Sequence, residues 1–224
     1  DLFIYVGGES DGWVDDALKE SSNPNMQVIN LMGVMGDSAK EEEVKEGMQA
    51  EEEHDHDKEA NHDHDHDHDN TDEAEIEYDE HVWLSLRNAT ALVNTLAEKL
   101  QTIDPENKDY YAGTAADYTA KLGDLDSRYL ATIKKAKVKT VLFGDRFPFR
   151  YLVDDYGLKY YAAFVGCSAE TEASFETVAF LAKKTDDLKL KSVLVIENSD
   201  QKIAKKIVET TKDKNQNIVV LNSM

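Results

Sequence analysis

One segment of this chain cannot contribute to a hydrophobic core, and it lies well inside the sequence. Residues 37–80 hold 21 carboxylates against 3 lysines, a balance of −18 out of −21 for all 224 residues, which leaves −3 for the rest. Like-charge repulsion at that density keeps a chain extended and solvated. The fold must therefore be built from the two flanks, with an acidic insert over about residues 37–77 expected to be disordered between them.

The insert is more than a spacer. Six of the seven histidines fall in it, at His54, His56, His62, His64, His66 and His68, each followed by Asp. Imidazole suits Zn²⁺ and its transition-series neighbours, and Asp adds ligands and negative potential. Repulsion among Glu41 to Glu43 and Glu51 to Glu53 gives no reason for histidine at alternate positions, and a purification tag would be a terminal run. The tract is expected to collect several metal ions weakly, with fast exchange. Outside it the chain is nearly neutral and offers no basic face, so no nucleic-acid partner is expected. A single cysteine, Cys167, excludes an intramolecular disulfide and a cysteine-based zinc knuckle. No apolar run reaches the roughly 18 residues of a membrane span.

The flanks alternate strand and helix signals. Strands are expected at residues 2–6, 27–31, 140–143, 160–164, 193–196 and 218–221, separated by helices near 12–20, 149–156, 172–184 and 201–211. Continuously apolar strands between helices indicate parallel sheets covered on both faces. Between the flanks, Asp104 and Pro105 open a helix in which Tyr111, Ala115, Tyr118, Leu122, Leu125, Tyr129 and Ile133 recur at steps of three or four. About thirty helical residues at ~1.5 Å each span roughly 45 Å; the aromatic stripe is expected to be core packing. The expected fold class is α/β, with two lobes of mainly parallel sheets linked by a long rigid helix. The boundaries are 1–103 for the first lobe, 104–137 for the helix and 138–224 for the second lobe. Ligands of open α/β sheets bind outside the carboxyl ends of strands, which directs attention to the loops after Phe143, Phe164 and Ile196.

His81 is the one histidine outside the tract, and it leads into a helix carrying Leu86, Val93, Leu96 and Leu100. Trp83 reads as a packing anchor for that loop. Cys167 reads as a small residue near a cleft, and Glu170, Glu172 and Glu197 as acids that cap the helices after their strands.

The opening Asp1-Leu2-Phe3-Ile4-Tyr5-Val6-Gly7-Gly8 before Trp13-Val14, the His-rich insert, Asp79-Glu80-His81-Val82-Trp83-Leu84-Ser85 and Asp154-Asp155-Tyr156-Gly157-Leu158 together carry a resemblance. They resemble the zinc and manganese solute-binding proteins of bacterial ABC importers, over nearly the whole chain. The resemblance implies a metal ion, zinc with manganese as the alternative, held between two lobes and delivered to a membrane ABC permease. It also implies a monomer that is not an enzyme, at the extracellular face of the membrane or in the periplasm, lipid-anchored in its full-length form. Residue by residue, His81 matches the family's histidine ligand from the amino-terminal lobe. Arg146 falls at a later ligand position, where a guanidinium cannot coordinate; Asp145 beside it is the substitute. Another histidine ligand is expected upstream of the first strand, and a fourth ligand near or beyond Met224. The chain opens and closes on strands and is expected to be part of a longer protein, with a signal peptide or lipid anchor upstream.

Two other functions fit a metal-binding chain, a zinc-dependent α/β metallohydrolase and an intracellular metal chaperone. A hydrolase needs about three protein ligands, an open water position and a base. No His-Glu-x-x-His motif is present and His81 stands alone in the body.

Overall fold

The computed structural model describes residues 1–49, 77–166 and 172–223. The chain opens with β1 (Leu2–Tyr5), α1 (Val14–Lys19), β2 (Gln27–Asn30) and α2 (Leu31–Met35). β1 and β2 pair in parallel, Phe3 opposite Val28, and Asn30 caps α2 by accepting from the Gly33 N–H at 2.9 Å. After the insert come α3 (Leu86–Ile103) and α4 (Lys108–Lys135). The 28 residues of α4 span about 42 Å at ~1.5 Å per residue, and α4 runs along α3 before the chain enters the second sheet.

That second sheet contains β3 (Thr140–Arg146), β4 (Lys159–Phe164), β5 (Ser192–Ile196) and β6 (Asn217–Leu221), with α5 (Arg150–Asp155), α6 (Phe175–Asp187) and α7 (Lys202–Thr210) as crossovers. It is parallel throughout, in the order β4-β3-β5-β6. Both faces are covered over β4, β3 and β5, whereas Val219 and Val220 of β6 are exposed. Leu142, Val193 and Val195 pack with Leu181, Ala204 and Ile207 of α6 and α7, while Phe143, Phe147, Phe149, Val153 and Tyr160 form the core under α5. The two-lobed, mainly parallel α/β architecture read from the alternating pattern is the one found.

Two expectations change. The aromatic stripe of α4 is not a buried core: Leu122 is its one fully buried residue, and Tyr118 is 52% exposed. α4 has partners on one side, so only one edge of the stripe is covered; Tyr129 stacks on Tyr156 at 5.3 Å. The insert also starts later than its composition suggests. Lys40 pairs with Asp154 and Arg150 with Glu43, and the Gln49 N–H donates to the Ala163 carbonyl at 2.9 Å, extending the edge of β4. Lys40 and Glu43 thus find opposite charges on α5, and Glu46 pairs with Lys184 of α6 at 3.3 Å, which holds this stretch against the body. His54, His56, His62, His64, His66 and His68 lie outside the described residues.

Candidate metal centre

His81 sits at the entrance to a short 3-10 turn, Val82–Leu84, that leads into α3. The turn is pinned from several sides. Val82 is fully buried with Met35, Leu92 and Tyr151, an interaction of about 1.5–3 kcal/mol for such a side chain. Ser85 accepts from the Asn88 N–H at 3.1 Å, capping α3, and donates to Asp155 Oδ2 at 2.6 Å. The Tyr151 hydroxyl donates to the Asp79 carbonyl at 2.8 Å and accepts from the Lys40 N–H at 3.0 Å. Burial, the largest influence, pushes the Tyr151 phenol up, so it stays a neutral donor.

Asp79 is 3% exposed. Its Oδ1 accepts the backbone N–H of His81 at 2.9 Å and lies 3.0 Å from His81 Nδ1. A carboxylate facing Nδ1 places the ring proton there and leaves the Nε2 lone pair for a ligand, the arrangement by which carboxylates orient metal-binding histidines. Composition does not single out Asp79; its position two residues before His81 is the signal, read here as part of a motif rather than as a partner.

The second lobe closes over the same ring. Gly166, just past β4, lies so near that a Cβ there would stand 3.2 Å from His81 Cε1 and 3.2 Å from the Phe147 carbonyl oxygen. Trp83, 5.5 Å from the His81 ring, donates from Nε1 to the Ser223 carbonyl at 3.1 Å. Ser223 in turn donates its N–H and its hydroxyl to the two oxygens of Glu197, at 2.8 and 2.7 Å. Burial acts to raise the Glu197 carboxyl, but these two donors outweigh it and hold it below its ordinary value. Trp83 is therefore the anchor it was read to be, and Glu197 holds the end of the chain after β6 instead of capping a helix.

Asp145 stands near the carboxyl end of β3. It is 9% exposed and lines a cavity with Gly144, Arg146, Phe164, Asn198, Ser199 and Asp200. His81 is not among the residues that line it. Among the described residues no three His, Cys, Asp or Glu side chains converge to hold a metal. Cys167 and Glu170 fall outside the described residues.

The model of the zinc-uptake complex component A, periplasmic, matches residues 1–224. The chain belongs to this family. It is 32% identical over 204 residues to the high-affinity zinc uptake system protein ZnuA of Bacillus subtilis, covering 91% of this chain and 57% of that protein. Among solved structures, the Zn(II)-bound ZnuA-like domain of Streptococcus pneumoniae AdcA superposes with a TM-score of 0.64 at 25% identity, over 100% of this chain and 68% of that one. The metal-dependent lipoprotein YcdH of Bacillus subtilis gives 0.67 at 26% identity, over 99% and 69%. The chain spans between a third and three fifths of the length of the curated relatives it matches across most of its own length.

Proposed function

We propose that this chain is the metal-capturing part of an extracytoplasmic zinc-binding protein that hands its ion to an ABC permease. The carrying observation is His81, whose Nδ1 faces a buried carboxylate and whose Nε2 is left as a donor between the two lobes. Membership of the zinc-uptake component family supports zinc as the cargo, and an imidazole donor favours zinc over manganese. One imidazole is too few for a tight zinc site, which takes three or four ligands; the remaining ligands are assigned to parts of the protein beyond the described residues. His54, His56, His62, His64, His66 and His68 act as an auxiliary collector, feeding ions toward His81 from a tract that re-enters the body at Glu77, whose carbonyl accepts from the Glu42 N–H at 2.9 Å. Lipid anchoring, by analogy with the lipoprotein relatives, would keep the protein beside its permease.

Zinc titration of the full-length protein tests the two roles separately. His81→Ala should remove the tight site and leave the weak ones, and deleting residues 51–70 should lower the stoichiometry while the tight site remains. Retention of the tight site in His81→Ala, with only thermal stability reduced, would make His81 structural. Unchanged stoichiometry after the deletion would remove the collector role.

A further inference from the structure

Because the second sheet is parallel throughout, the amino ends of its four strands lie at one end of the lobe, opposite the end that carries Gly166 and the His81 ring. Lysine dominates that end. Lys137 and Lys139 lead into β3, and Lys159 opens β4. Lys189 and Lys191 lead into β5, and Lys212 and Lys214 into β6. Hydrogen bonds join these turns into one edge: the Lys159 N–H donates to the Lys139 carbonyl at 2.9 Å, the Asn217 N–H to the Lys191 carbonyl at 2.9 Å, and the Lys212 N–H to both oxygens of Asp186 at 3.2 Å. Three strand spacings of about 4.8 Å make the edge roughly 15 Å wide. The near-neutral composition of the body conceals this basic face, because its lysines are spread from residue 137 to residue 214 and only the topology gathers them.

All seven lysines are exposed, and among the described residues none of their ammonium groups makes an ion pair or a hydrogen bond. The acids in the same turns are Asp186, Asp187, Glu209 and Asp213. Asp154 and Asp155, at the end of α5, are taken up by Lys40 and Arg150 and by Ser85 and Arg87. Lysines that follow a helix also offset the partial negative charge of its C-terminus, about half a charge per helix. Four helices end here, so that offset takes about two charges, and Lys134 and Lys135 in the last turn of α4 already supply them. The seven lysines therefore exceed the four acids without a task inside the fold. Val138, 48% exposed between Lys137 and Lys139, adds an apolar side chain to the same edge.

We infer that this lysine edge is a docking surface for an anionic phospholipid membrane. Its cations are all lysines, compact charges on flexible stems, which suit a field of phosphate headgroups better than the fixed, bidentate recognition that arginine serves. The acidic segment joins the body at the far end, where Gln49 pairs with Phe164 at the carboxyl end of β4. The six residues of β4 separate that junction from the edge by about 20 Å, more than the ~8 Å over which charges act at physiological salt, so repulsion from the junction is screened at the lysines. Docking turns the His81 cleft and the start of the acidic segment away from the lipid, a pose for collecting ions from the medium. Membrane docking presupposes the extracytoplasmic location proposed above and is independent of the zinc ligands.

Flotation of the full chain with vesicles tests this, using phosphatidylcholine alone and phosphatidylcholine with phosphatidylglycerol in equal parts. Binding is expected to the mixed vesicles only, and is expected to disappear in high salt. Each lysine near an anionic surface accounts for about fivefold in binding, so the triple change Lys137→Gln, Lys139→Gln and Lys159→Gln should weaken it roughly 100-fold. Lys99→Gln with Lys108→Gln and Lys121→Gln, on α3 and α4, should leave it unchanged. Equal binding to neutral vesicles, full binding by the edge variant, or an equal loss in the α3 and α4 variant would each overturn the membrane surface. Tighter binding to a DNA duplex than to the mixed vesicles would assign the edge to another polyanion and also overturn it. His81→Ala should float as the native chain does; vesicle binding by a chain that shows no tight zinc site would refute zinc capture and leave the membrane surface standing.

Discussion

Replacing Asp79 separates a histidine that is merely buried from one that is held ready for a metal. The Asp79 side chain is 4% exposed and that of His81 15%, so water replaces neither partner easily. In Asp79→Asn the shape is retained and an amide oxygen can still accept the His81 N–H, but the full negative charge facing Nδ1 is lost. Carboxylates in this position typically account for about 10–100-fold in metal affinity, so Asp79→Asn should weaken the tight zinc site by about tenfold. Asp79→Ala should approach ~100-fold, because the ring is then free to exchange tautomers and rotate; its unpaired buried N–H should also lower stability by ~1–3 kcal/mol. The assay is competition with a chromophoric chelator on the full-length protein, paired with long-range ¹H–¹⁵N spectra of the His81 ring. The metal-free native protein should show the Nδ1–H tautomer and Asp79→Ala a mixture. If both variants bind zinc as tightly as the native protein while His81→Ala does not, Asp79 does not orient the ligand.

Gly166→Ala would place a methyl 3.2 Å from both His81 Cε1 and the Phe147 oxygen, so the ring must give by a few tenths of an ångström; zinc affinity in the same chelator competition should fall several-fold, with thermal unfolding shifted by less than ~1 kcal/mol. At the alkaline end, burial first, and then Asp126 beside Tyr156 and Glu43 beside Tyr160, push both phenols up from an ordinary 10.0. The native state therefore holds these protons more tightly than the unfolded chain; stability is intact below pH 10 and falls as pH rises above it. Tyr156→Phe and Tyr160→Phe should each flatten that fall in chemical denaturation followed against pH, and a slope unchanged in both would contradict the cause.

The fold was legible because its strands are apolar without interruption: Thr140 to Phe143 and Val193 to Ile196 cannot sit at a surface, and parallel pairing between helices is the arrangement that buries both faces. Boundaries were less legible where polar residues continue a strand. Gly144, Asp145 and Arg146 read as a loop, yet they extend β3, because Arg146 still pairs with Phe164 across a register shift and Gly144 lets the strand press against Ala204. Periodicity alone could not tell a covered stripe from a half-covered one on α4. His81 was visible from its isolation and motif, whereas the long-range contacts of its segment were not: Gly166 at the His81 ring lies 85 residues further along, Ser223 lies 140 residues beyond the Trp83 it bonds, and spacing carries no information about such pairs.

The ties on the His81 segment differ in what they would survive. The bond from Asp79 joins residues two apart on one segment, so it persists whatever the lobes do relative to each other. The Gly166 contact and the Trp83 bond to Ser223 cross from one lobe to the other, and Ser223 is itself held by Glu197, whose carboxylate must be ionised to accept both donors. Separation of the lobes would thus leave the His81 tautomer intact while removing the floor beneath the ring. If His81 is the ligand proposed above, a ring oriented in this way would meet an incoming ion in an open state, and closing against Gly166 would then fix its direction.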